Sequence, residues 1–330
     1  MERKISSKHI YQLLLALGLG VGIIFWLYRD LDFTKVWVVL LQETNWTWMF
    51  ASLFFGVLSH VLRGWRWVIS LEPLNAYPKR SNAVYAIFTS YVVNLVIPRL
   101  GEFTRCGVLS RYDQISFSKS LGSVVAERLI DSISAFVVLF IAILVQGKYF
   151  IAFIDTTGFK IPAFDFVANS SFYIALLSLA GIGVLLYLLA KKLALMDRAK
   201  GTLKNIWEGV TALKNIKRKG LYCLLTCLIW LCYYLHFYLT FYCFTFTSDL
   251  GWLAGLSLFI VGSFAVVVPT PNGAGPWHFV VISMMVIYGV DKVDAGIFAL
   301  IVHTIQSFLV VLLGTYGFVA LPLSNKTIDK

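Results

Sequence analysis

Two polar clusters interrupt long apolar runs, and their residue types suit phosphate recognition. The first is Asn94-Leu-Val-Ile-Pro98-Arg99-Leu-Gly101-Glu102-Phe-Thr-Arg105, and the second, one apolar run later, is Glu127-Arg128-Leu-Ile-Asp131. Guanidinium groups give bidentate, charge-assisted hydrogen bonds to phosphate oxygens. Nearby carboxylates hold those arginines in place or recognise a cationic group. Within membrane-spanning sequence each ionisable group costs several kcal/mol unless paired or hydrated, so such residues read as functional. A third cluster breaks the later half at Pro269-Thr-Pro271-Asn272-Gly273-Ala-Gly275-Pro276-Trp277-His278. Pro/Gly interruptions in corresponding places of two halves point to a transporter-like site at a repeat interface.

Composition sets the solvent in which these clusters operate. The chain has 330 residues, 59% hydrophobic and 14% charged, with a mean hydropathy of +0.79. That balance excludes a soluble globular domain and predicts an all-α polytopic membrane protein. The formal net charge of +11 then falls mostly in loops, where it bears on orientation and anionic lipid. No basic and aromatic nucleic-acid module is present. The five cysteines lack His/Cys ligand spacing, so neither a metal site nor a disulfide framework is expected. Without a G-x-x-x-x-G-K-[ST] loop, direct ATP drive is not expected, and no cofactor is implied.

The elements that position the clusters follow in chain order. A basic start with Arg3, Lys4 and Lys8 precedes an uncleaved first span over residues 10–28. A second span, residues 46–71, carries His60, Arg63 and Trp67 on one face. Arg63 and Arg66 have two readings there: both snorkel to headgroups, or Arg63 faces the interior and meets a lipid phosphate or Glu127. Residues 82–97 are too few to cross a bilayer and stop at Pro98, so residues 82–112 read as a re-entrant hairpin reversing near Gly101. Irregular backbone at that depth is tolerated only where protein or water lines it, which implies a polar cavity near Asn94, Arg99 and Glu102. A long span over residues 118–146, with Ser118 as its cap, puts Glu127 and Asp131 on one face. They read as an internal ion-pair network, as a headgroup or proton site, or as both.

Residues 147–170 read as an outer loop and 172–190 as a span returning to the cytosol. Residues 191–220 hold nine basic residues among apolar ones at helical spacing, which predicts an interfacial amphipathic helix. The remainder repeats the earlier plan: a span over 221–245, a hairpin over 252–288 broken at Pro269, Pro271, Gly273 and Gly275, and a last span over 295–321. Crossing counts make the two units inverted repeats. The chain then divides into residues 1–45 (first span and outer loop), 46–146 (first repeat), 147–220 (connecting span and basic segment), 221–321 (second repeat) and 322–330 (tail). Six crossings and two re-entrant hairpins leave both termini cytosolic, and small loops favour a prokaryotic plasma membrane.

These residues resemble the flippase-like transmembrane family typified by the membrane domain of lysyl-phosphatidylglycerol synthases, over residues 46–321. The resemblance rests on Asn94, Pro98, Arg99, Gly101, Glu102 and Arg105, then Glu127, Arg128 and Asp131, with the Pro/Gly-rich second hairpin as counterpart. Many members place a carboxylate where this chain has His278. The chain also ends at Lys330 without the soluble aminoacyl-transferring domain of the synthases. The resemblance implies that it keeps the part implicated in moving lipid between leaflets.

The expected function is a lipid translocase that shelters a polar headgroup, anionic phospholipid or prenyl-linked, between two hairpins. Arg63, Arg99, Arg105 and Arg128 would meet phosphate; Glu102, Glu127 and Asp131 would hold them; Asn94 and Asn272 would add neutral contacts. His278 and His303 are the groups whose charge could change near neutral pH. Two other readings stand beside it: a membrane enzyme transferring a group to a lipid through Glu127, Asp131 and His278, and a scaffold for a cell-envelope enzyme docking on the basic segment.

Overall fold

The computed structural model describes residues 22–29, 31–97, 99–158, 196–268 and 270–325. Pro98, Pro269 and the expected span over 172–190 lie outside the described residues. Among those described the fold is all-helical, with no strand. In chain order the helices are α1 (Phe33–Val38), α2 (Trp46–Leu71), α3 (Arg80–Val96), α4 (Gly101–Tyr112), α5 (Phe117–Thr157), α6 (Met196–Thr211), α7 (Lys219–Tyr238), α8 (Trp252–Ala265), α9 (Pro276–Ile287) and α10 (Lys292–Ser324). A short helical stretch over 22–28 precedes them.

Among the described residues, three segments are long and apolar enough to cross a membrane: Phe117–Thr157, Lys219–Cys243 and Lys292–Ser324. With 26 residues α2 matches them in length, about 39 Å at a 1.5 Å rise. Its polar residues are turned into the protein: Ser52, Ser59, His60, Arg63 and Arg66 are buried, while Phe50, Phe54 and Trp65 face outward. Asn45 caps the helix by accepting from the Thr47 N–H at 3.1 Å.

Loop contacts sort the helix ends to opposite ends of the molecule. At one end Asn82 Nδ2 donates to Asp113, just past α4, at 3.0 and 3.1 Å. There too Asn325, after α10, accepts from Lys79 Nζ at 3.2 Å, and Arg218, before α7, pairs with Glu72, after α2. At the other end Lys35 Nζ meets Asp294 at 2.7 Å, the Asn45 N–H donates to the Cys243 carbonyl at 2.8 Å, and Tyr149 stacks on Tyr288 at 4.0 Å. Helices α2, α5, α7 and α10 therefore run from end to end. The α3/α4 hairpin has both feet at the first end, and α8/α9 starts and finishes at the other.

The packing pairs follow an exchange pattern. α2 lies on α7, α3 on α10, and α8 on α5, while each hairpin packs on itself. Close approach depends on small residues, as membrane helix contacts generally do: a Cβ at Gly56 of α2 would lie 2.8 Å from the His236 ring of α7. Val92 of α3 lies equally tight against Gly314 of α10.

Some expected boundaries are corrected. Ser116, not Ser118, occupies the start of α5, and no side chain caps it; Ser118 is already helical. The helix does not end near Gln146 but kinks there (φ −125°, ψ 25°) and continues to Thr157, so the first part of the expected outer loop is helical. Past Gln146 the residues are mostly aromatic and β-branched, with little intrinsic helix preference, and the Tyr149–Tyr288 stack holds that turn in place.

Within the basic segment, α6 is amphipathic and crosses α5 where Gly209 meets Gly122. A Cβ at Gly209 would lie 2.7 Å from both the Gly122 Cα and the Lys119 carbonyl. Overpacking at such a contact costs about 1–3 kcal/mol. Gly209→Leu is therefore expected to lower the melting temperature in detergent, whereas Gly201→Leu, with nothing within 4 Å of its Cβ position, leaves it unchanged.

Candidate functional site

Both hairpin breaks are built from residues in left-handed backbone. Arg99 has φ 69°, and Asn272, Gly273 and Gly275 have φ 51°, 73° and 92°. Glycine adopts this region without penalty, which accounts for two of the four; asparagine tolerates it, and arginine does so at some cost. Side chains then close each turn. Asn94 Oδ1 accepts from the Gly101 N–H at 2.7 Å and so caps α4. At Gly101 a Cβ would run into the Ser90 carbonyl. In the second break His278 Nδ1 accepts from the Gly275 N–H at 3.3 Å, and Asn272 Nδ2 donates to Ser307 Oγ at 2.8 Å. The breaks meet at an exposed contact, where Arg99 Nη2 donates to the Val267 carbonyl at 2.9 Å.

Beside this meeting point lies a network of four arginines and three carboxylates. Glu127 on α5 is fully buried, and its carboxylate lies 3.3 Å from Arg105 Nη1 of α4 and 3.9 Å from Arg66 Nε of α2. Asp131, one turn on, reaches Arg66 at 2.7 Å, Arg63 at 3.3 Å and Arg128 at 4.0 Å. Glu102 in the first turn of α4 bridges Arg105 at 2.9 Å and Arg128 at 3.1 Å. Arg63 also donates to the phenol oxygens of Tyr91 at 2.7 Å and Tyr233 at 3.1 Å, and the Arg105 guanidinium lies 4.8 Å from the Trp67 ring centre. The network thus ties α2, α3, α4, α5 and α7 together and retains one formal positive charge.

Several of these contacts are close without being aligned. Arg128 Nε lies 3.1 Å from Glu102, and Arg66 Nη2 lies 2.7 Å from Asp131, yet neither makes a well-directed hydrogen bond. Arg63 Nε and Arg105 Nη2 are buried without a hydrogen-bond partner among the described residues. Each arginine has a carboxylate within 4 Å, while donor capacity is left over.

A cavity of about 760 Å³ opens against this network, between the helices of the two halves. The charged wall carries Arg63, Arg128 and Asp131; Trp230, Phe259 and Trp277 also line the cavity, with Asn272 and His303 near the second break. The volume falls within the range of small-molecule sites, roughly 300–1,000 Å³.

The expected site residues divide by position. Arg63, Arg128, Asp131 and Asn272 line the cavity. Glu102, Arg105 and Glu127 stand behind that wall and hold it. Asn94, Arg99 and His278 are not among the lining residues; the first and last close turns, and Arg99 joins the two breaks. His278 is buried against the Tyr28, Trp277 and His303 rings. Arg63 does face the interior, but its carboxylate partner is Asp131 rather than Glu127. The snorkelling reading of Arg63 and Arg66 is corrected, since Arg66 is completely buried between Glu127, Asp131 and Thr226. The expected site omits Arg66, although it stands three residues after Arg63 on nearly the same face, and that spacing is the signal that includes it. Tyr91 and Tyr233 were likewise unread, because single tyrosines in apolar helices carry no positional signal.

The chain matches the lysylphosphatidylglycerol synthase TM region over residues 13–314. It belongs to that family. Membership places it among membrane proteins related to lipid modification or transport. No curated protein matches it. The family match spans both hairpins, the ion network and every cavity-lining helix.

Removing one partner of a buried ion pair costs about 3–5 kcal/mol, because the other charge is left uncompensated. Glu127→Ala takes one carboxylate from both Arg66 and Arg105, which keep Asp131 and Glu102, and raises the network's surplus positive charge, so it is expected to lower thermal stability in detergent by up to about that order. Arg99→Ala removes a single exposed hydrogen bond, worth about 1 kcal/mol, and a melting curve should separate the two clearly.

Proposed function

We propose that this family member is a lipid translocase, in which the cavity shelters a polar headgroup while the acyl chains stay in the bilayer. The observation that carries the reading is the mixed lining of the cavity: two arginines together with several aromatic rings, contributed in large part by membrane-length helices. A headgroup phosphate on Arg63 and Arg128 would be desolvated among hydrogen-bond donors. Asn272 would add a neutral contact from the second break.

The topology that suits this role has α2, α5, α7 and α10 crossing the membrane, with the α3/α4 and α8/α9 hairpins entering from opposite faces as an inverted repeat. Supporting it, α3, α4, α8 and α9 have 17, 12, 14 and 12 residues. At 1.5 Å per residue none spans the roughly 30 Å hydrocarbon core. The exchanged packing pairs and the opposed hairpin feet point the same way. With the expected spans over residues 10–28 and 172–190, the crossings number six. Lys79, Arg80, Arg111, Lys217, Arg218 and Lys219 gather at the first end, which makes that end cytosolic by the positive-inside rule. Both termini then lie in the cytosol of a prokaryotic cell whose plasma membrane holds the protein.

Native mass spectrometry of the protein in mild detergent tests the reading. Wild type and a variant neutralised at Lys217, Arg218 and Lys219 are expected to retain lipid, whereas Arg128→Leu loses most of it. In proteoliposomes Ala135→Trp, which fills the cavity from α5, should slow transbilayer lipid movement about tenfold or more, a barrier change of roughly 1.4 kcal/mol. Lipid loss only in the basic-segment variant would instead favour a scaffold docking through that segment.

A further inference from the structure

The charge arrangement at the cavity wall says which headgroups the site would take. Three features decide it: the surplus of arginine, the graded exposure of the arginines, and the double attachment of Glu102.

The cavity wall itself carries two guanidiniums, Arg63 and Arg128, and one carboxylate, Asp131. Of the other charges, Arg66, Arg105 and Glu127 sit behind it buried, and Glu102 is partly exposed. Asp131 Oδ2 lies between the two guanidiniums, 3.3 Å from one and 4.0 Å from the other, so a single oxygen anion already bridges them. Protonation of the lining histidines His60, His236 or His303 would only add positive charge. A second single anion is therefore favoured at this wall, and an added cation is opposed by both arginines.

Glu102 shows how such an anion would be admitted. Its carboxylate holds the half-exposed Arg128 through one oxygen and the buried Arg105 through the other. A ligand oxygen that takes Arg128 leaves Glu102 attached to Arg105, so no carboxylate is stranded. The exchange sacrifices one partly solvated ion pair, the kind worth least. The same exchange at Arg63 or Arg66 would disrupt buried pairs.

We propose that the wall formed by Arg63 and Arg128 is a selective site for one phosphodiester anion, that the anion replaces Glu102 on Arg128, and that headgroups carrying a cation are disfavoured. The inference rests on the lipid-cavity reading. It names the substrate class as lipids with a net negative phosphodiester, such as phosphatidylglycerol, over zwitterionic or aminoacylated ones.

The test offers the full chain in detergent equal amounts of phosphatidylglycerol, phosphatidylcholine and lysyl-phosphatidylglycerol with identical acyl chains, and counts bound lipid by native mass spectrometry. Phosphatidylglycerol is expected to exceed each of the others by at least about fivefold, a difference of roughly 1 kcal/mol. Arg128→Gln erases that preference. Glu102→Gln raises phosphatidylglycerol retention severalfold, because Arg128 loses its internal competitor. Lysyl-phosphatidylglycerol bound as well as phosphatidylglycerol would overturn the charge selection while leaving the lipid cavity intact. So would Glu102→Gln lowering retention with an unchanged melting curve. Competition by millimolar inorganic phosphate would reassign the site to free phosphate and overturn the lipid assignment. Binding of no lipid at all would remove the cavity reading and the selection together.

Discussion

The structure depends on the burial of Glu127 between Arg66 and Arg105. A carboxylate in an apolar interior is tolerated only with cationic partners and hydrogen bonds, and its two guanidiniums arrive from different elements, α2 and the first hairpin. That requirement brings α4 against α5 and holds the hairpin inside the helix bundle. Trp67 and Ser70 complete the enclosure: the indole stacks over Arg105 and donates to Ser123 at 3.0 Å, while Ser70 lies at the Glu127 oxygen. The cluster is thus first an architectural device, and its outward side is available for chemistry only because its inward side is satisfied.

The hairpin breaks solve a second constraint. Ending a helix within the protein exposes backbone N–H and carbonyl groups that must be paired locally. Asn94 supplies one acceptor, His278 another, and Arg99 donates across to the Val267 carbonyl at the end of the α8 turn. Asn94, Arg99 and His278, which lie off the cavity, are thus each committed to backbone. Asn272 spans both roles, since its carbonyl lies 3.1 Å from His303 Nε2, its amide holds Ser307, and it lines the cavity.

Much of this was legible in residue order. The hairpin segments were visible because Pro, Gly and Asn gather where apolar runs stop short, and α3 follows the expected range within two residues. Membership of the ion network was legible for Glu102, Arg105, Glu127, Arg128 and Asp131, since charges within apolar helices must find partners. Pairing was not: the interior reading gave Arg63 a lipid phosphate or Glu127 as partner, and only the rotation of α2 against α5 places it at Asp131. Arg66 was misread for a related reason. Near a helix end a long cationic side chain has the option of reaching water, and nothing local shows that α7 covers it with Thr226 and Tyr222. The extension of α5 past Gln146 was hidden because mixed-charge sequence suits an exposed helix as well as a loop.

The arginines form a graded series that separates support from recognition. Side-chain exposure is 0% for Arg66, 1% for Arg105, 6% for Arg63 and 42% for Arg128. The first two face carboxylates and rings on all sides, so replacing their partners would strand charge. Arg128 is held by Glu102 and more distantly by Asp131, both of which keep another arginine when it leaves. A group that can change partners without stranding any charge is the one suited to repeated capture and release of a ligand. Were Arg128 buried as deeply as Arg66, each cycle would have to break a desolvated pair. Were the network behind it absent, Arg63 and Arg128 would repel one another across Asp131 and the wall would not hold its shape. Recognition at this wall is therefore a consequence of how fully the charges behind it are paired.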